Sequence, residues 1–253
     1  MNTLIPRVQF EGDAQHIEFA EVLAWMQQHT LLDALQPQWL LWFQSRPGQV
    51  SQGEIEQAHR QYPLARIVLI LGSWCEGELR SGQPCHGVER CFWYEAIPHL
   101  SRLWSQPCEP RTASLAERCD QQTRWRTPLP TLRIAIAAKT RAGAESLTEA
   151  IQALQQQVSP ITEEESNPSD FTPELCLLDG EDTRDSWLLP TVRALRNRWP
   201  TVPSIACFNF PRSHECEEIR ALGVNAVLGK PFWLADLACL IKSVAALHAS
   251  GRQ

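Results

Sequence analysis

Leu175–Gly180, LCLLDG, is an unbroken apolar run that delivers an aspartate to its end, and further along Gly223–Phe232 reads GVNAVLGKPF. The first stretch reads as a buried strand stopped by a turn, the second as a brief strand running into Gly-Lys-Pro-Phe. Either fragment alone is weak, because Asp-Gly is a common turn and Gly-Lys-Pro an ordinary loop. Their weight comes from the elements around them.

Working outward, Leu132–Ala138 (LRIAIAA) is a strand, and Leu147, Ile151, Leu154 and Val158 follow helical spacing. After a polar stretch from Ser159 to Pro173 comes the Leu175 strand, then a helical face of Leu188, Val192, Leu195 and Trp199. Pro203–Phe208 is the next strand. Glu215–Leu222 is a short helix that Gly223 ends at a position favouring positive φ. Ala226–Leu228 is a brief strand, and Leu234, Leu237, Ile241, Val244 and Leu247 line the last helix. Strands without polar alternation imply a parallel sheet covered on both faces.

The first half repeats the pattern. Pro37–Phe43 lies over Pro173–Asp179, Tyr62-Pro63 over Trp199-Pro200, Ile67–Leu71 over Ser204–Phe208, and Gly87-Val88 over Gly223-Val224. On this alignment Phe43 replaces the aspartate and Tyr94 replaces Lys230. Arg7–Phe10 is the only candidate first strand, and Ile17, Phe19, Val22, Leu23 and Met26 mark one helix; whether a strand forms near Leu31–Leu35 is left open. The expected fold class is α/β: two flavodoxin-like, receiver-like domains, each a parallel five-stranded or degenerate sheet with helices on both faces. The expected division is 1–104, a linker 105–130 with one helix near Ala113–Gln122, and 131–250.

An aspartate ending the third strand, with Lys230-Pro231-Phe232 after the fifth, resembles the response-regulator receiver family of two-component signalling. The resemblance implies Asp179 as a phosphoryl acceptor and Lys230 as a contact to the phosphoryl oxygens. It also implies an acidic pair at the end of the first strand to hold a divalent metal, and a Thr or Ser ending the fourth. Here the acidic pair falls among Ala137, Ala138 and Lys139, and the hydroxyl position falls on Phe208. A lone carboxylate is a poor ligand set for Mg²⁺, which takes several oxygens. The resemblance with these losses implies a non-catalytic signalling or protein-interaction module, not an enzyme, with Asp179 and Lys230 as a vestigial site neighboured by Lys139, Phe208 and Pro231. No cofactor and no metal are expected. Lys139 is expected to join Lys230 in clamping Asp179, and the Lys230-Pro231 bond is expected to be cis. Glu181, Asp182 and Asp185 follow Asp179, where a helix N-terminus favours acids in any case.

Two other readings remain open. One is a working phosphoacceptor using Asp179 and Mg²⁺; the other is a flavodoxin-like small-molecule binder at the carboxyl edge of the sheet, which no Gly-rich loop or Ser-His-Asp order supports. Expected partners are proteins, such as a histidine kinase or another signalling protein, with pairing of the two domains or a homodimer as further contacts. In the family the face around the fourth helix, fifth strand and fifth helix makes such pairs. Phe232, Trp233, Trp93 and Ile97 fall near it, and core packing is the expectation for each.

Composition narrows the classes. The 253 residues carry a formal charge of -6, which gives no case for nucleic acid. No apolar leader or long apolar stretch is present, so a cytoplasmic protein without membrane contact is expected. Nine cysteines without a Cys-x-x-Cys pair suggest reduced thiols, and Cys75, Cys85-His86 and Cys91 match no zinc spacing. Of ten tryptophans, several are expected to fill core space, and an exposed subset could mark a partner surface.

Overall fold

Fully buried third strands organise both halves of the chain. The computed structural model describes residues 5–32, 35–105, 129–161, 171–182 and 184–250, and the helix expected near Ala113–Gln122 lies outside them. The chain divides into two units, 1–107 and 108–253.

The first unit contains β1 (Arg7–Gly12), a 3-10 turn (Ile17–Phe19), α1 (Ala20–His29), β2 (Leu31–Leu32), β3 (Trp39–Gln44) and α2 (Gln52–Gln61). It continues with β4 (Arg66–Leu71), a 3-10 turn (Ser73–Cys75), α3 (Glu78–Ser81), β5 (Glu89–Phe92) and α4 (Trp93–Ser105). The second contains β6 (Arg133–Ala138), α5 (Arg141–Ala153), β7 (Gln157–Pro160), β8 (Leu175–Asp179) and α6 (Leu188–Arg198). β9 (Ser204–Asn209), α7 (Ser213–Ala221), β10 (Ala226–Lys230) and α8 (Leu234–Ser250) complete it.

Both sheets have five strands, all paired in parallel, in the orders β2-β1-β3-β4-β5 and β7-β6-β8-β9-β10. This is the α/β, flavodoxin-like arrangement expected from the sequence. β3 (WLLWFQ) and β8 (LCLLD) are buried at every position. In the second unit Leu175 and Leu177 face Leu147 and Ile151 of α5 and Leu237 and Ile241 of α8. Cys176 faces the other way, toward Leu195 and Trp199. Strand alternation therefore turns Asp179 toward the α5 side.

The repeat is visible in local geometry as well as order. Tyr62 and Trp199 end α2 and α6 in nearly the same conformation, with φ/ψ of -127/70 and -135/73. Gly87 and Gly223 both take positive φ, at 74° and 96°, before the last strand of each sheet. The pairing register nevertheless corrects one position. Cys91 lies opposite Ile70 as Leu228 lies opposite Cys207, so Trp93, not Tyr94, corresponds to Lys230. The connection after Gly87 is one residue shorter than the one after Gly223.

Two further differences concern second strands. Val158 belongs to β7 instead of continuing α5, because the helix stops at Leu154 and Gln155 adopts a φ of 56°. In the first unit β2 forms with only two residues, both exposed leucines, beside β1. Among the described residues no helix is long and apolar enough to cross a membrane.

Candidate functional site

The carboxyl ends of β6, β8, β9 and β10 bring the family-position residues together. Ala138 lies opposite Asp179, Asp179 opposite Cys207, and Lys230 opposite Asn209, so the acceptor position, the hydroxyl position and the lysine share one edge. Lys230 Nζ donates to Asp179 Oδ1 at 2.8 Å, and the two side chains are 22% and 10% exposed. The following Lys230-Pro231 bond is cis, as expected.

The other carboxylate oxygen is equally enclosed. Thr140 caps α5 by accepting from Gly143 N at 3.1 Å, and Asp179 Oδ2 sits so close to Gly143 that a Cβ there would fall 2.0 Å from it. Gly143 is thus a requirement of the site that its sequence context does not announce. On the next backbone unit, a Cβ at Gly180 would meet the Phe208 ring at 2.4 Å. Phe208, at the position where the resemblance implies a small hydroxyl, is fully buried, with its ring against Gly180. Cys207, below the same edge, has its thiol pushed up to about 12 by burial and, secondarily, by Asp179.

Lys139 does not join the clamp. Its ammonium instead bridges Asp185 Oδ2 at 2.6 Å and Glu181 Oε2 at 3.0 Å, while its backbone N donates to Asp179 O at 3.2 Å. A four-carbon stem leaving the strand end reaches outward to the loop acids more readily than sideways to a carboxylate already paired. The hydrogen bonds that Lys139 donates to Asp185 first, and then to Glu181, raise its pKa. Asp185 is held low by Lys139 first and by the Trp187 amide second, whose N–H it accepts at 3.2 Å.

The resemblance implies a divalent cation here, and the residues do not fit one. β6 ends without a carboxylate, Asp179 Oδ1 is taken by Lys230, and Glu181 and Asp185 converge on an ammonium. Among the described residues no cluster of three His, Cys, Asp or Glu is placed to hold a metal ion.

At the matching edge of the first unit, Phe43 packs against Phe19 at 5.1 Å and Phe10 at 5.8 Å. Asp13 occupies the position of Lys139, its N donating to Phe43 O at 2.9 Å; its carboxylate accepts from Ser45 Oγ at 2.5 Å. The Trp93 indole donates to Ser73 Oγ at 3.1 Å, and Ser73 N donates to the buried Glu18 carboxylate at 3.0 Å. The Asp13–Ser45 and Glu18–Ser73 pairs were not legible, since each joins loops that the sheet brings together.

Of the apolar residues expected to pack inside, Trp93 is buried and Phe232 and Ile97 are partly so, but Trp233 is 59% exposed. It follows Phe232, whose ring already occupies the core side of the turn, so the next side chain points away. Trp74 is exposed too, with Arg46 6.0 Å from its ring centroid.

No family model matches the chain, and no curated protein matches it. Among solved structures its neighbours include response-regulator proteins and CheY-like receiver domains, each covering about half of the chain. It is similar to NtrX from Brucella abortus at 13% identity, over 49% of this chain and 28% of that one, with a TM-score of 0.43. It is similar to a CheY-like receiver domain protein from Methanospirillum hungatei at 18% identity, over 48% and 99%, with a TM-score of 0.40. It is also similar to the chemotaxis response regulator CheY4 of Vibrio cholerae at 14% identity, over 46% and 99%, with a TM-score of 0.39. The chain thus spans little more than a quarter of the length of the Brucella protein and nearly all of the two smaller ones.

Proposed function

We propose that the chain is a non-catalytic signalling module made of two tandem pseudo-receiver domains, acting through contacts with protein partners of two-component type. One observation carries the reading: Asp179 is enclosed between the Lys230 ammonium and the first turn of α5, with the Phe208 ring against Gly180 and no second carboxylate from β6. An acceptor must let an anionic donor approach a second anion, which needs concentrated positive charge and open space. Asp179 has one ammonium and little space. The retained pair then ties the end of β8 to the end of β10 and holds the edge in one arrangement. Exposed Trp233 and Phe210, beside that edge, supply apolar area for a protein partner.

The Asp179–Lys230 contact at 2.8 Å also supports a second reading, a working acceptor phosphorylated on Asp179. Incubation of the full chain with acetyl phosphate and Mg²⁺, followed by intact-mass and peptide analysis, separates the two. The module reading expects no phosphoryl adduct; a stoichiometric adduct on Asp179 overturns it.

A further inference from the structure

We infer that Lys139 is the site's own cation: its ammonium takes the place beside Glu181 and Asp185 that a divalent ion would need, and so makes this edge independent of metal. The inference rests on the receiver-like reading of the edge and adds what replaced the metal. Four carboxylates lie at the end of β8 and in the segment leading to α6; Asp182 pairs with Arg184, and two ammonium groups, Lys139 and Lys230, meet the other three, Asp179, Glu181 and Asp185. The two univalent groups supply the same positive charge as one divalent ion, but from fixed positions just past β6 and at the end of β10.

The partition is geometric. Lys230 reaches only Asp179 among these acids; Lys139 gathers the other two within 3.0 Å. Asp185 is drawn to Lys139 through Oδ2 while Oδ1 accepts the Trp187 N–H, so the ammonium also fixes the start of α6. Mg²⁺ would require these oxygens in its own shell and would stand against an ammonium that cannot leave the chain. Glu181 and Asp185 are held by a covalently attached charge at any magnesium concentration.

The test uses the full chain and Mn²⁺ as probe, with free Mn²⁺ read by electron paramagnetic resonance and folding checked by circular dichroism. The wild-type chain is expected to show no saturable site up to about 1 mM. Lys139→Asp removes the ammonium and adds a ligand; it is expected to gain one site at least about tenfold tighter than wild type, lost again on adding Asp185→Asn. Lys139→Met, which removes only the charge, is expected to fall between the two and serves if the aspartate variant does not fold. The inference is overturned if wild type binds one Mn²⁺ in a manner abolished by Glu181→Gln with Asp185→Asn, or if folded Lys139 variants bind no better than wild type. Acetyl phosphate labelling of the same wild-type sample reports on the module reading separately, since labelling at Asp179 concerns that reading and Mn²⁺ affinity concerns Lys139.

Discussion

Phe43 and Asp179 hang from the same ladder position, opposite Gly12 in one sheet and Ala138 in the other, and the surroundings of each have been rebuilt to suit it. Around Phe43 the edge is aromatic, with Phe10 and Phe19 in contact. Around Asp179 it is ionic, with Lys230 at hydrogen-bond distance and a glycine in the adjacent helix turn. The next position reverses the contrast, because Asp13 is acidic where Lys139 is basic. The fold tolerates either solution, provided the whole neighbourhood agrees with it. The two units differ in the surroundings of one strand end, not in the strand order that both share.

The severest way to break this comparison is to exchange its centre. Phe43→Asp puts a buried carboxylate beside the buried Phe19 and half-buried Phe10 rings, in a unit whose sequence holds no lysine, and is expected to destabilise the first unit by roughly 4 kcal/mol or more. Hydrogen exchange read by mass spectrometry should show β3 and β4 losing protection while β6 and β8 keep theirs. Retained protection in the first unit would mean that the aromatic surroundings are not selective.

A smaller effect tests the ionic side. Gly143→Ala should cost about 2 kcal/mol, although the same change at an open helical glycine usually stabilises, because the new methyl collides with Asp179 Oδ2. Adding Asp179→Ala should recover most of the loss, giving a clear coupling in a double-mutant cycle. A glycine variant that is neutral in the wild-type background would show that Asp179 moves freely.

The smallest effect sharpens the contrast in acid. Burial alone would raise the Glu89 pKa, but His99 by hydrogen bond and charge, then Arg66 and Arg102, hold it below the usual carboxylate value. A depressed folded pKa adds stability that is complete above the unfolded value and lost as pH falls through the folded one. Lowering pH from about 6 to 3 should therefore weaken protection around β5, and Glu89→Gln should flatten that dependence. An unchanged slope in the variant would remove Glu89 as its source.

Much of this was readable from residues. The buried runs at Leu175 and Trp39 and the positive φ of Gly223 follow from patterns that local chemistry imposes, while the Asp179–Lys230 pair followed from the resemblance to receivers. Among the features that were not, three show why. Val158 fits helical spacing with Leu154, and only the backbone at Gln155 reveals that the helix has ended. Trp93 was displaced by one residue because equal loop lengths after Gly87 and Gly223 were the simplest alignment, and strand pairing alone exposes the shorter connection. Lys139 was placed near the correct edge but with the wrong partner, since a long side chain at a strand end can reach several carboxylates and the sequence does not rank them.

The brevity of β2 has its own consequence. Leu31 and Leu32 are exposed on an outer strand, a composition that in a longer strand would template the addition of another chain and lead to aggregation. Two residues leave too few free backbone groups to anchor an incoming segment. Any insertion that lengthened this strand without adding charge would turn a harmless sheet margin into a nucleation point for self-association.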